Sequence, residues 1–254
     1  TVKDYDYTKN ATDKDGNALK WVEDDENGNS NPDETERMFS IKFNKHANWN
    51  TAANGYNGIG YANQYALHFG VRGGQDYANT FPFGQGWGAG PVAPNLVADW
   101  KSIEPNDPRL DATVQDWTKS TTYTKGGGDG FVQETDYYGK KWAPITAKKD
   151  DGSYVGNFEY VMFAGGWPSA TDNNMQLDNI HDLVLMRFAE VLLMQSELKE
   201  DVGGINEVRK RAGLSPIGAY SLQALQNERR WELACEGIRW NDLRRWHIAA
   251  AALE

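Results

Sequence analysis

The chain is 254 residues long and carries a formal net charge of −10, with ten tryptophans, twelve tyrosines and a single cysteine. That length can bury a core in one large domain or two small ones, and the acidic balance, with an isoelectric point near 4.9, excludes nucleic acid, whose phosphates demand a basic face. A mean hydropathy of −0.71 and the lack of an apolar run of ~20 residues exclude a membrane-spanning helix.

Residues 1–31 are polar, acidic and rich in turn formers. Asp13-Lys14-Asp15-Gly16-Asn17 and Asp24-Asp25-Glu26-Asn27-Gly28-Asn29 cluster oxygen ligands. A calcium loop of the EF-hand type needs glycine at its sixth position, where counting from Asp13 gives Ala18, so these read as solvated turns. Arg37 to Phe43 alternates, with Phe39, Ile41 and Phe43 on one side, which predicts a half-buried strand.

The stretch Asn44–Gly90 carries the ligand-binding signal. Trp49, Tyr56, Tyr61, Tyr65, Phe69, Tyr77, Phe81, Phe83 and Trp87 are interspersed with Asn48, Asn50, Asn54, Asn57, Asn63, Gln64, Arg72, Gln75 and Gln85 among many glycines. A pyranose has an apolar C–H face and a rim of hydroxyls, so flat rings cover the face while amide and guanidinium groups bond the rim. Trp49 and Trp87 are the expected anchors because their small or polar neighbours leave them exposed. Tyr56, Tyr61, Asn48, Asn50 and Arg72 complete the candidate site. Leu67, Phe69 and Val71 alternate as a short strand would, and the series Gly84, Gly86, Gly88, Gly90 lacks the spacing of a dinucleotide fingerprint.

Pro94 starts a predicted helix through Trp100, with Leu96, Val97 and Trp100 inward. Arg109 is expected to brace local structure through a carboxylate. Gly126-Gly127-Gly128-Asp129-Gly130 is a flexible tip, and Val161 and Phe163 share a face in Glu159–Ala164; Gly165-Gly166-Trp167-Pro168 is a turn carrying an aromatic.

From Leu183 the sequence becomes helical. Leu183 to Met194 is apolar on nearly every face and reads as one enclosed helix, ended by Gly203-Gly204. A second runs from Ile205 to Ala212 with Gly213 at its stop; a third from the N-cap Ser221 to Cys235, closed by Gly237; and Trp240 to Trp246 is a fourth. Glu228, Arg229, Arg230, Glu232, Glu236 and Arg239 lie three or four positions apart and predict ion pairs along and between helices.

These blocks resemble, in order, the C-terminal part of the SusD/RagB family of Bacteroidetes outer-membrane nutrient-binding lipoproteins. The carriers are Arg187-Phe188-Ala189-Glu190-Val191-Leu192-Leu193-Met194, Ile205-Asn206-Glu207-Val208-Arg209 with Arg211-Ala212-Gly213-Leu214, Glu228-Arg229-Arg230-Trp231-Glu232-Leu233-Ala234, and Glu236-Gly237-Ile238-Arg239-Trp240-Asn241-Asp242-Leu243-Arg244-Arg245-Trp246. Glu36 to Ile41, Asp107-Pro108-Arg109-Leu110 with Thr113, and Tyr137 to Trp142 are similar to further blocks. The resemblance implies a mainly α fold, a tetratricopeptide-like helical scaffold with a large, irregular, loop-rich excursion containing short strands. Residues 1–180 would form the excursion that binds ligand and 181–248 the scaffold, while 249–254 read as a vector-derived tail. It further implies a portion of a longer protein held at the outer face of the outer membrane by an N-terminal lipid anchor absent from this chain. That protein would sit over a SusC-like TonB-dependent transporter and capture oligosaccharide without cofactor or turnover.

For chemistry the residues offer little. His46, His68, His181 and His247 have no zinc spacing, no Gly-x-Ser-x-Gly elbow occurs, and Cys235, expected inside a helix, lacks an activating partner. Three alternatives stay open. A glycoside hydrolase would need only a carboxylate pair, for which Glu104, Asp107 and Asp111 are candidates. A RagB-like protein would bind peptides, and a helical-repeat adaptor would leave the aromatic stretch unexplained.

Overall fold

The computed structural model describes residues 36–41, 63–72, 80, 82–83, 86–118, 120, 135–143, 146–148, 151–155 and 182–253. In chain order these form β1 (Arg37–Ile41), α1 (Gln64–Phe69), α2 (Pro94–Ile103), α3 (Pro108–Thr113), β2 (Val114–Asp116), β3 (Tyr137–Gly139), β4 (Ala147–Lys148) and β5 (Tyr154–Val155). Then follow β6 (Leu183–Arg187), α4 (Phe188–Lys199), α5 (Gly203–Arg211), α6 (Leu222–Glu232), α7 (Arg239–Arg245) and α8 (Ala249–Leu253). The fold is mainly α, and among the described residues the strands make two-stranded sheets, β1 with β6, β2 with β3 and β4 with β5. Two compact units divide the described residues, one within Ser40–Val92 and Val114–Leu183, the other within Thr35–Phe39, Ala93–Thr113 and Val184–Glu254.

The second unit is a helical stack. Ala189 and Leu193 of α4, Ile205 and Val208 of α5, Leu225 of α6 and the following Leu233 form its core, with Leu192, Ile217, Tyr220, Ile238 and Trp246 packed round it. The Ser221 side chain caps α6 by accepting from the Ala224 N–H at 3.1 Å. Pro94 opens α2, which buries Val97 and Trp100 while Leu96 stays half-buried. The Trp100 ring stacks on Trp231 with centroids 5.1 Å apart, and its Nε1 donates to Asp107 at 2.9 Å.

Several expectations are corrected. Leu183–Arg187 is a strand and only Phe188 onward is helix. A short apolar run does not distinguish the two by periodicity, and here pairing with β1 decides, the Phe188 N–H donating to the Glu36 carbonyl at 2.7 Å. Gly203-Gly204 begins α5 rather than ending α4, which stops at Glu200 in the left-handed conformation. Gly204 is needed for close approach, since a Cβ there would lie 1.9 Å from the Leu192 carbonyl oxygen. Ser196 Oγ accepts from the Ile205 N–H at 3.0 Å, satisfying a helix-start donor that no cap residue serves. Cys235 lies in the turn after α6 at φ 65°, not inside a helix. In β1, Phe39 and Ile41 are exposed, so that face is not buried as alternation predicts.

Ion pairs join elements rather than run along α6. Arg109 forks onto Asp107 at 2.7 Å and reaches Glu228 at 2.6 Å and Glu232 at 2.9 Å. Arg209 bonds Glu104 at 2.6 Å and Glu228 at 3.1 Å. Arg187 holds Glu36, Glu232 and Glu236, and Arg211 also reaches Glu36 and Glu232. Arg229 pairs with Asp242 at 2.9 Å and Arg230 with Asp99 at 2.6 Å. Buried charges need partners on the elements that cover them, which overrides pairing with neighbours three or four positions away. Burial pushes the Asp107 carboxyl upward, but bonds from Arg109 and Trp100 outweigh it and hold it below the usual range. Burial wins at Glu228, which is raised against the pull of Arg109 and Arg209. Arg109 braces the fold as expected.

The first unit packs Val71, Phe83, Tyr138 and Ala143 against Trp117. β2 and β3 are antiparallel, with Gln115 opposite Tyr138. The Val92 N–H donates to the Tyr137 carbonyl at 2.8 Å, so the chain leaving the 86–90 segment is fixed to β3.

Candidate functional site

Leu67, Phe69 and Val71, whose alternation predicts a short strand, do not form one: Gln64–Phe69 is the helix α1. Asn63 is buried and its Oδ1 accepts from the Tyr65 N–H at 2.9 Å, an N-cap that outweighs the local pattern. The other end of α1 carries free carbonyls that another segment must satisfy. Residues 86–89 do so. Trp87 N–H donates to the Leu67 carbonyl at 2.6 Å, Gly88 to Gly70 at 3.0 Å, Ala89 to His68 at 2.7 Å and Gly86 to Val71 at 2.7 Å. This contact explains Gly86 and Gly88, which no phosphate-binding motif does. A Cβ at Gly86 would lie 2.6 Å from the Leu67 carbonyl oxygen, and Gly88 has φ +64°.

The result is a mount for aromatic side chains held by main-chain bonds. Trp87 is 38% exposed, with the His68 ring edge-on at 4.8 Å and an interplanar angle of 71°. Arg72 Nη1 donates to the Trp87 carbonyl at 3.2 Å. Beside them Tyr65 is 44% exposed, its ring 5.7 Å from Phe69 and 5.5 Å from Trp142. Two site residues expected from sequence, Trp87 and Arg72, are therefore brought together. Trp49, Tyr56, Tyr61, Asn48 and Asn50 lie outside the described residues, as do the acidic turns before residue 35, the Gly126–Gly130 tip, the Glu159–Ala164 strand and the Trp167 turn.

Tyr65 belongs to the expected aromatic stretch but not to the candidate site drawn from it, and His68 and Trp142 were not expected there. Positions 65, 68, 69 and 72 follow the i, i+3, i+4, i+7 spacing of one helix face, the signal that the strand reading hides. Chemically the patch offers three partly exposed aromatic rings, those of Tyr65, Phe69 and Trp87, with an imidazole and a guanidinium, which suits stacking and hydrogen bonding. Of the expected hydrolase carboxylates, Asp107 is committed to Arg109 and Trp100, and Glu104 to Arg209. Among the described residues no group of three His, Cys, Asp or Glu is placed to hold a metal ion, and no helix is long and apolar enough to cross a membrane.

SusD-like protein P38 of Formosa agariphila is 26% identical to this chain over 179 residues, 64% of this chain and 34% of that protein. Among solved structures, a laminarin binding SusD-like protein superposes with a TM-score of 0.65 at 26% identity, covering 95% of this chain and 48% of its own. Surface glycan-binding protein A from Bacteroides fluxus gives 0.60 at 25% identity, over 87% and 42%. The chain thus spans between about a third and a half of the length of these relatives. The SusD family model matches residues 20–254, nearly the whole sequence. The chain belongs to the SusD family.

Proposed function

We propose that the intact protein captures oligosaccharides at the cell surface without chemical turnover and passes them to a SusC-like TonB-dependent transporter. It would act from the outer face of the outer membrane, held by an N-terminal lipid anchor. Residues 181–248 would serve as scaffold and 1–180 would carry the ligand excursion. The carrying observation is Trp87, left partly exposed on a backbone-bonded mount beside His68, Arg72 and Tyr65. A sugar ring lying on such a surface gains the stacking and rim contacts described above, with no reacting group required. Two relatives, one named as binding laminarin and the other as a surface glycan-binding protein, support the same reading and make laminarin the first ligand to test.

Titration calorimetry with laminarin oligosaccharides, alongside plant, host and microbial glycans, tests it. Binding without appearance of reducing ends supports capture. Rising reducing ends would replace it with a hydrolase, and selective binding of peptides with a RagB-like role.

A further inference from the structure

In the helical unit, Arg109, Arg187, Arg209, Arg211, Arg229, Arg230 and Arg245 each hold at least one carboxylate. Arg239 and Arg244 break the pattern: among the described residues neither has a hydrogen bond or ion pair to one. Arg239 is half-buried, and its Nη1 is sealed from solvent without a partner. Burial, then the like charge of Arg230, lower its pKa; Asp242 opposes this but is already bonded to Arg229 and Arg245. Leaving a guanidinium in this state costs stability, although the chain has 36 acidic residues against 26 basic ones. Trp240, next to Arg239 in the chain, is 53% exposed, with the Arg244 guanidinium 6.0 Å above its ring.

We propose that Trp240, Arg244 and the solvent-facing part of the half-buried Arg239 on α7 form a docking surface for an acidic segment of a second polypeptide, which supplies two carboxylates and an apolar side chain but leaves the sealed Arg239 Nη1 unmet. Arginine forks accept carboxylates bidentately, and exposed Trp and Arg are the residue types that dominate interface energetics. A net charge of −10 repels an anionic partner from the rest of the chain, so attraction is local to this cationic island. Arg244 already lies over the Trp240 ring, so a flat-lying sugar is disfavoured there and a side chain packed at the ring edge is favoured.

The test is calorimetry of this chain with a synthetic peptide alternating glutamate and leucine, and with its lysine–leucine counterpart. The acidic peptide is expected to bind and the basic one not, with affinity falling about tenfold or more in R239Q/R244Q. Equal binding to wild type and variant, no binding up to millimolar peptide, or binding only of a uronic acid oligosaccharide at these arginines would overturn the proposal. Self-association of the chain with no peptide binding would do the same. Independently, Arg239→Met is expected to raise the melting temperature of the free chain by about 2 °C or more, since it removes an unpaired charge. A fall would mean that Arg239 serves the fold itself, and the surface reading fails.

Discussion

Arg109→Met is the sharpest test of how the helical unit is held. The guanidinium side chain is 10% exposed and bonds Asp107, Glu228 and Glu232, whose side chains are almost fully covered. Methionine fills most of the volume but leaves three carboxylates short of a cation. Each keeps some support: Asp107 from Trp100, Glu228 from Arg209, Glu232 from Arg187 and Arg211. Breaking a buried pair costs about 3–5 kcal/mol, and for a chain of this size each kcal/mol moves Tm by roughly 2–4 °C. The expected fall in Tm is thus about 6–20 °C, read by far-ultraviolet circular dichroism, which follows the helices. Arg109→Lys is not expected to restore it, because a point charge cannot span the same fork. The double variant R109M/E228Q should lose less than the sum of its singles, with a coupling of about 1 kcal/mol or more. A stability change within about 0.5 kcal/mol for R109M, or strict additivity, would refute a shared buried network.

Trp87→Ala should weaken glycan binding about tenfold or more with little change in Tm, whereas Trp100→Ala should cost about 3–5 kcal/mol and leave the site's ligand preference unaltered; calorimetry and melting curves separate the two. Gly204→Ala places a Cβ 1.9 Å from the Leu192 carbonyl oxygen, so urea denaturation should register a loss of about 1–3 kcal/mol. Asp107 and Glu197 both titrate below their usual values, burial being outweighed at Glu197 by Arg245 and Trp246. A lowered folded-state value gives stability that is present above the unfolded pKa and lost as pH falls, so Tm should drop below about pH 4.5. Glu228, shifted upward, contributes with the opposite sign, and Asp107→Asn should therefore flatten the acid slope; an unchanged slope would contradict this assignment.

The C-terminal helices were legible because capping and stop residues act locally: Ser221 caps α6, Gly213 follows α5, and Trp100 and Val97 face inward as spaced. What the sequence hid depended on distant partners. Leu183–Arg187 is apolar enough for either state, and β1, more than 140 positions earlier, makes it a strand. The same holds for Gly203-Gly204, whose meaning depends on how closely α4 approaches. At the site, Trp87 and Arg72 were recognisable by composition. Tyr65 and His68 required knowing that Asn63 turns the next residues into a helix, and Trp142 that a segment about 75 positions later packs its ring on Tyr65.

The segment carrying Trp87 is fastened through main-chain groups, and this has a practical consequence. Those bonds do not depend on which side chain stands at 87, nor on those at 65 or 68. The outward groups are interchangeable fittings on a fixed chassis, so replacing them should retarget the surface toward other ring-shaped molecules while the carbonyl-to-amide seam beneath stays closed.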